Sequence, residues 1–148
     1  MKNLPYRIFL DTNVLLNDIF FRRFNRPNSR PAHTAIEYLV RVARRETFVA
    51  SFSIVQIIST LERARVTRDI IRQEIQQILT KHEIINFTEK DIQSALTAFD
   101  DLDIEDTFQF IVSQKVKCQY IITDNVRDFR TFQNVRVIRP KEIRKIVF

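Results

Sequence analysis

Five aspartates stand where a folded chain could bring hard oxygen ligands together. Asp11 closes the apolar run Ile8-Phe9-Leu10, Asp103 and Asp106 lie three apart in DLDIED, and Asp124 and Asp128 bracket DNVRD. At a helix start, carboxylates three apart can face one way, with Asp103 as the cap. Such oxygens suit Mg²⁺, which takes octahedral oxygen ligands and keeps several waters. Two such ions a few Å apart clamp the attacking and leaving oxygens of a phosphodiester. A single Asp after a strand serves equally as a turn or cap residue, and that is the reading given to Asp18, Asp100 and Asp101. For Asp11, Asp106 and Asp128 together, three strand-end or helix-start positions agree, which favours a shared site.

The chain has no glycine, where average usage would supply about ten. That excludes a GxGxxG dinucleotide loop and a GxxxxGK phosphate loop. Phosphate chemistry must then use metals or basic side chains, and turns must use Asn, Asp or Pro. A dehalogenase-type phosphatase needs a second acid two residues after the first, and here that position is Asn13.

Strands and helices that could position these residues alternate along the 148 residues, a length that suits one domain, 1–148. Strands are predicted at Tyr6–Leu10, Thr47–Ala50, Glu83–Phe87, Cys118–Thr123 and Val135–Ile138. Helices are predicted at Thr12–Phe20, with Asn13 near its start, and at Thr34–Arg45, Ser53–Ala64 and Thr67–Lys81. Two more run from the Thr88 cap to about Phe99 and over Thr107–Lys115, and Pro140 fits the first turn of a closing helix. Phe20–His33 reads as irregular, with two prolines and four arginines, and DNVRDF reads as a loop. This order predicts an α/β layer sandwich around a parallel sheet. In such sheets functional residues gather at the carboxyl ends of the strands, which is where Asp11 and the loop after Thr123 fall.

The segments IFLDTNVLL and DIEDTFQFIVSQKVKCQYIITDNVRDF resemble the PIN domain, in particular the toxin-like ribonucleases of bacterial toxin–antitoxin pairs. The resemblance runs through nearly the whole chain in order and spacing. It implies a PIN-like three-layer α/β/α sandwich around a parallel sheet of four to five strands, and cleavage of RNA with Mg²⁺ or Mn²⁺. Asp11, Asp106 and Asp128 match the family's metal-binding, catalytic aspartates, with Asp103 or Glu105 as an accessory acid. Asn125 stands where relatives carry Asp or Asn. Thr12, Asn13 and Thr123 match small polar positions that hold the site, with Asp124 beside them. One position departs: relatives usually carry a glutamate in the pattern S-x-x-x-x-E, and here Gln56 stands there. Gln keeps a carbonyl oxygen but loses a charge and the bidentate option. Glu62 lies nearly two helical turns further on and cannot take its place.

Net charge +6 and a pI near 9.8 suit an acidic partner, RNA or an acidic protein. FFRRFNRPNSR interleaves Phe20, Phe21 and Phe24 with Arg22, Arg23, Arg26 and Arg30. Arginines can hold phosphate while aromatic rings stack on unpaired bases, or the rings can plug the core beneath solvated arginines. The helices Ser53–Ala64 and Thr67–Lys81 carry branched apolar residues that pack in the core or meet a second copy or an antitoxin-type peptide. His33 and His82 are expected as cap or surface residues. One cysteine, Cys118, cannot form an internal disulfide, which fits a reducing cytoplasm. No apolar run is long enough for a membrane span, and MKNLPYRIFL is too short in its apolar part for a secretory signal. Three readings follow: a PIN-type endoribonuclease, the same enzyme silenced by a partner peptide, and a non-catalytic or weakened PIN-like module that binds RNA or protein, which Gln56 favours.

Overall fold

A computed structural model describes residues 6–43, 46–98, 103–129 and 134–146. Five strands form one sheet in the order β3-β2-β1-β4-β5, with every pair parallel. They are β1 (Ile8–Leu10), β2 (Thr47–Ala50), β3 (Glu83–Ile85), β4 (Tyr120–Ile122) and β5 (Arg136–Ile138). Central strands β1, β2 and β4 are buried throughout, as expected where helices cover both faces of a parallel sheet. Alternate residues feed two cores: Ile8, Leu10, Val49 and Ile122 on one face, Phe9, Phe48, Ala50 and Ile121 on the other.

The first face is covered by α1 (Thr12–Phe24), α2 (Arg30–Val42), α3 (Ser51–Arg63) and α4 (Arg68–Lys81), through Leu15, Ile19, Leu39, Ile57, Leu61 and Ile78. The second is covered by α6 (Ile104–Lys115) and the short α7 (Val126–Phe129), through Val112 and Phe129, with α5 (Glu89–Ala98) packed on α6. A 3-10 helix, Pro140–Lys145, closes the chain against α2. This is the three-layer α/β/α sandwich with five strands. The sheet grows from β1 toward β2 and β3, then reverses to β4 and β5, so the crevice opens at the carboxyl ends of β1 and β4.

Without glycine, left-handed helix ends fall on other residues. Asn25 ends α1 at φ 52° and Asn134 precedes β5 at φ 68°, as expected, but Arg65 and Lys117 also carry positive φ. Both help satisfy the last carbonyls of the helices they follow: Arg65 N–H donates to Glu62 O at 2.9 Å and Lys117 N–H to Gln114 O at 3.0 Å, and the next residues, Val66 and Cys118, donate to Leu61 O and Ser113 O at 3.0 Å each.

Several expectations need correction. The stretch expected to be irregular from Phe20 is helical as far as Phe24, and Pro31 sits in the first turn of α2 rather than in a loop. DNVRDF contains α7, and the closing helix is 3-10. Asp18 is neither a turn nor a cap but a buried mid-helix residue, and His82 is the C-cap of α4, one of its two expected places, with its ring buried against the Thr47 hydroxyl at 2.7 Å. Arg45, Phe99, Asp100 and Asp101 lie outside the described residues.

Candidate active site

A cleft of about 500 Å³ opens at the ends of β1 and β4, between α3 and α6. The β1–β4 register sets Leu10 beside Ile122, and the chain continues in step, with Asp11 N–H donating to Ile122 O at 3.0 Å. Asp11 is therefore next to Thr123. Asp11 starts α1 in extended backbone (φ −66°, ψ 147°), yet its carboxylate makes no cap bond to the helix. Its oxygens serve the crevice instead: Thr123 Oγ1 donates to Oδ2 at 2.6 Å, and Gln109 Nε2 donates to Oδ1 at 2.7 Å. Thr123 Oγ1 accepts from Asn125 N–H at 3.0 Å, which fixes the hydroxyl's direction. Burial raises the Asp11 pKa above its ordinary value, and the bonds from Thr123 and Gln109 offset part of that rise.

Across the cleft, Asp103 caps α6: its Oδ1 accepts from Glu105 N–H at 2.8 Å and from Asp106 N–H at 3.4 Å. One turn of helix then turns Asp106 inward, 7% exposed. Burial, and then the charges of Asp11, Asp103, Asp128 and Glu105, push its carboxyl up to about 7. These carboxylates thus act on one another through a shared field.

The third wall is α3. The Thr12 hydroxyl lies 2.7 Å from Ser53 Oγ and 3.0 Å from Gln56 Oε1. A hydroxyl has one proton and an amide oxygen can only accept, so the consistent assignment is Ser53 donating to Thr12 and Thr12 to Gln56. One lone pair of the Gln56 carbonyl is then occupied by Thr12.

Asp11, Thr12, Asn13, Gln56, Asp103, Glu105, Asp106, Asn125 and Asp128 all line this one cleft, and Thr123 is buried beneath it. Asp124 points elsewhere, accepting from Asn17 Nδ2 at 3.0 Å and tying α1 to the loop after β4. The arginines expected to meet RNA are placed differently. Arg22 and Arg23 reach Glu74, 0% exposed on α4, at 2.6 Å each, and Arg22 also pairs with Asp18 at 2.9 Å. Burial favours a protonated Glu74, but these two guanidinium groups hold its pKa below the ordinary range. Both arginines are therefore committed to joining α1 to α4. Arg26 and Arg30 lie over the rings of Phe20 and Phe21, at 4.2 and 5.8 Å from the centroids. Sequence reasoning missed Gln109, Ser53, Ser59, Thr60 and Arg63, which all bear on the cleft. Gln109 is three residues after Asp106, a spacing that would have placed it on the same helix face.

Among the described residues, no three of His, Cys, Asp and Glu form a ready-made ligand cluster. The donor set is nonetheless the one a hard divalent cation takes: carboxylate, amide and hydroxyl oxygens around an open, polar cleft. Burial first, and then the neighbouring carboxylates, raise the Asp106 pKa, and a cation in the cleft would offset that repulsion. The residues present fit such an ion.

A PIN domain family model matches residues 8–135. A toxin–antitoxin complex from Klebsiella pneumoniae superposes with TM-score 0.63 at 20% identity, covering 90% of this chain and 97% of that one. VapBC2 from Rickettsia felis, bound to a DNA fragment from its promoter, gives TM-score 0.63 at 13% identity, covering 89% and 97%. The Mycobacterium tuberculosis VapC20, described as a sarcin–ricin loop cleaving toxin, gives 0.64 at 16% identity, covering 87% and 98%. No curated protein sequence matches the chain.

Proposed function

The chain belongs to the PIN domain family, and on that premise we propose that it is a divalent-metal-dependent endoribonuclease, the toxin member of a toxin–antitoxin pair. The observation that carries this reading is the convergence of Asp11, Asp103, Asp106 and Asp128 from three separate stretches of chain onto one polar cleft. In it, Asp11, Asp106 and Asp128 hold Mg²⁺ or Mn²⁺, with Asp103 and Asn125 accessory. A bound ion of this kind polarises a phosphoryl oxygen and lowers the pKa of water.

The chain's own residues do the rest. Thr123 and Gln109 hold both Asp11 oxygens in one orientation through neutral donors, so the carboxylate keeps its charge for the cleft. The Asp103 cap fixes the first turn of α6 and with it the inward direction of Asp106. Thr12, gripped by Ser53 and Gln56, ties the start of α1 to α3. Cys118, buried with its thiol pushed up to about 12 by that burial, is unreactive, in keeping with a cytoplasmic protein. Toxin–antitoxin complexes among the similar folds support an antitoxin partner.

Labelled RNA incubated with Mn²⁺ is expected to yield fragments with the wild type and none with Asp106→Asn or Asp11→Asn. Intact RNA at high protein concentration would overturn the nuclease reading. Gln56 supports a second reading, a weakened or non-catalytic module that binds RNA or protein. It is distinguished by Gln56→Glu, which gains cleavage if the missing acid limits the site.

A further inference from the structure

Among the described residues lining the acidic cleft, Arg63 alone is cationic. It ends a stripe along α3: Gln56, Ser59, Thr60 and Arg63 stand at helical spacings of three, four and seven, positions that share a face. All four line the cleft. Arg63 is exposed, and its Nε is steadied by the Ser59 carbonyl oxygen one turn back at 3.4 Å. None of the ion pairs among the described residues takes its guanidinium, whereas Arg7, Arg22, Arg23 and Arg72 are each paired with a carboxylate.

A polyanion approaching a cleft of carboxylates is repelled at short range, whatever the net charge of the molecule. A planar forked donor at the rim offers the compensating contact, since it takes two phosphate oxygens at once. Seven residues of helix place Arg63 roughly 10 Å along α3 from Gln56. That rise separates the two backbone positions, and the Arg63 side chain spans part of it by reaching back to the Ser59 carbonyl.

We propose that Arg63 is the phosphate-holding residue of this cleft. It grips a backbone phosphate beside the one to be cut, with the Ser59 and Thr60 hydroxyls lining the path between. The inference rests on the nuclease reading and names the substrate-positioning residue of the same site. It also sets a substrate requirement: the RNA must extend past the cleaved bond toward Arg63, so a dinucleotide is a poor substrate.

The test pairs steady-state cleavage of a fluorescent single-stranded oligoribonucleotide in Mn²⁺ with anisotropy binding by the non-cleaving Asp106→Asn chain. Arg63→Gln is expected to raise KM and Kd about tenfold with kcat changed less than about threefold. The slope of log KM against log salt should flatten by about one, and Arg63→Lys should recover part of the loss. Mn²⁺ affinity by calorimetry should stay at the wild-type value. Arg68→Gln removes an equal charge at an exposed position off the cleft and should leave KM and Kd unchanged. Unaltered KM and Kd in Arg63→Gln, or equal shifts in Arg68→Gln, would overturn the assignment. If the wild type cuts no RNA, the nuclease reading falls, and the binding arm still decides: tenfold weaker binding by Arg63→Gln supports the phosphate contact, and undiminished binding overturns it.

Discussion

Asp11 is held by two neutral donors rather than by a cation, and that choice keeps its charge directed at the cleft. Gln109 supplies one of them while its own Oε1 is buried without a partner among the described residues. A buried carbonyl without a partner costs on the order of 1–3 kcal/mol, so Gln109 is retained at the expense of stability. Gln109→Leu is therefore expected to change stability by less than about 1 kcal/mol, because the lost donor to Asp11 and the removed orphan offset each other. The same variant should weaken Mn²⁺ binding about tenfold, as losses of orienting groups around metal ligands do. Thermal unfolding with calorimetry on one preparation separates the two effects, and a large stability loss with unchanged Mn²⁺ affinity would count against this role. At this scale the acids that line the cleft were legible, because Asp11 follows a strand, Asp106 lies in the first turn of α6 and Asp128 lies in the segment that leaves β4. The neutral ones were not: Gln109 and Ser53 act only through partners 98 and 41 residues away. The pairing of Arg22 and Arg23 was not legible for the same reason, since their partner Glu74 lies on another helix.

That clamp also explains why α1 runs on to Phe24. Two adjacent arginines in its last turns reach across to Glu74 on α4, so a tertiary contact extends a helix that local pattern alone would end at Phe20. Glu74→Ala should cost roughly 1–3 kcal/mol, because both guanidinium groups lose their buried partner while Arg22 keeps Asp18 and Arg23 keeps Gln73, and chemical denaturation should read the loss directly. Helix ends carry a second prediction. The absence of glycine foretold Asn at left-handed positions, and Asn25 and Asn134 comply, but Arg65 and Lys117 accept the same conformation with a Cβ that resists it. Lys117 sits where α6 turns into β4, with its N–H donating to Gln114 O at 3.0 Å. Lys117→Gly should stabilise the protein by about 1 kcal/mol, seen as a higher denaturation midpoint with unchanged slope. Strand existence was legible from apolar runs, and β2 has the expected bounds, whereas the other four strands were overestimated by one to three residues, since their flanking residues leave the ladder to enter loops.

For the molecule as a whole, alternation of strand and helix predicted the parallel sheet, but the order β3-β2-β1-β4-β5 is a long-range property that no local window contains. That order joins the acids at one end of the sheet and so couples the site to global stability. Asp106 has its carboxyl raised to about 7, and Asp11 is raised as well, so the folded chain takes up these protons more readily than the unfolded one. Acidification from pH 8 through 7 therefore stabilises the metal-free fold. His82 acts in the opposite sense. Burial first, and then Lys81, push it down to about 4, so the fold resists a proton that the unfolded chain accepts near 6.5, and stability is lost as pH falls below that value. The metal-free Tm should rise from pH 8 to about 6.5 and then level off as the two effects oppose. Saturating Mn²⁺ holds the carboxylates ionised and removes the rise, so the loaded protein should lose Tm steadily on acidification as protons displace the ion. In metal-free Asp106→Asn the rise between pH 8 and 6.5 should shrink. A metal-free wild type whose Tm falls across that interval would show that the acids of the cleft do not share the field described here.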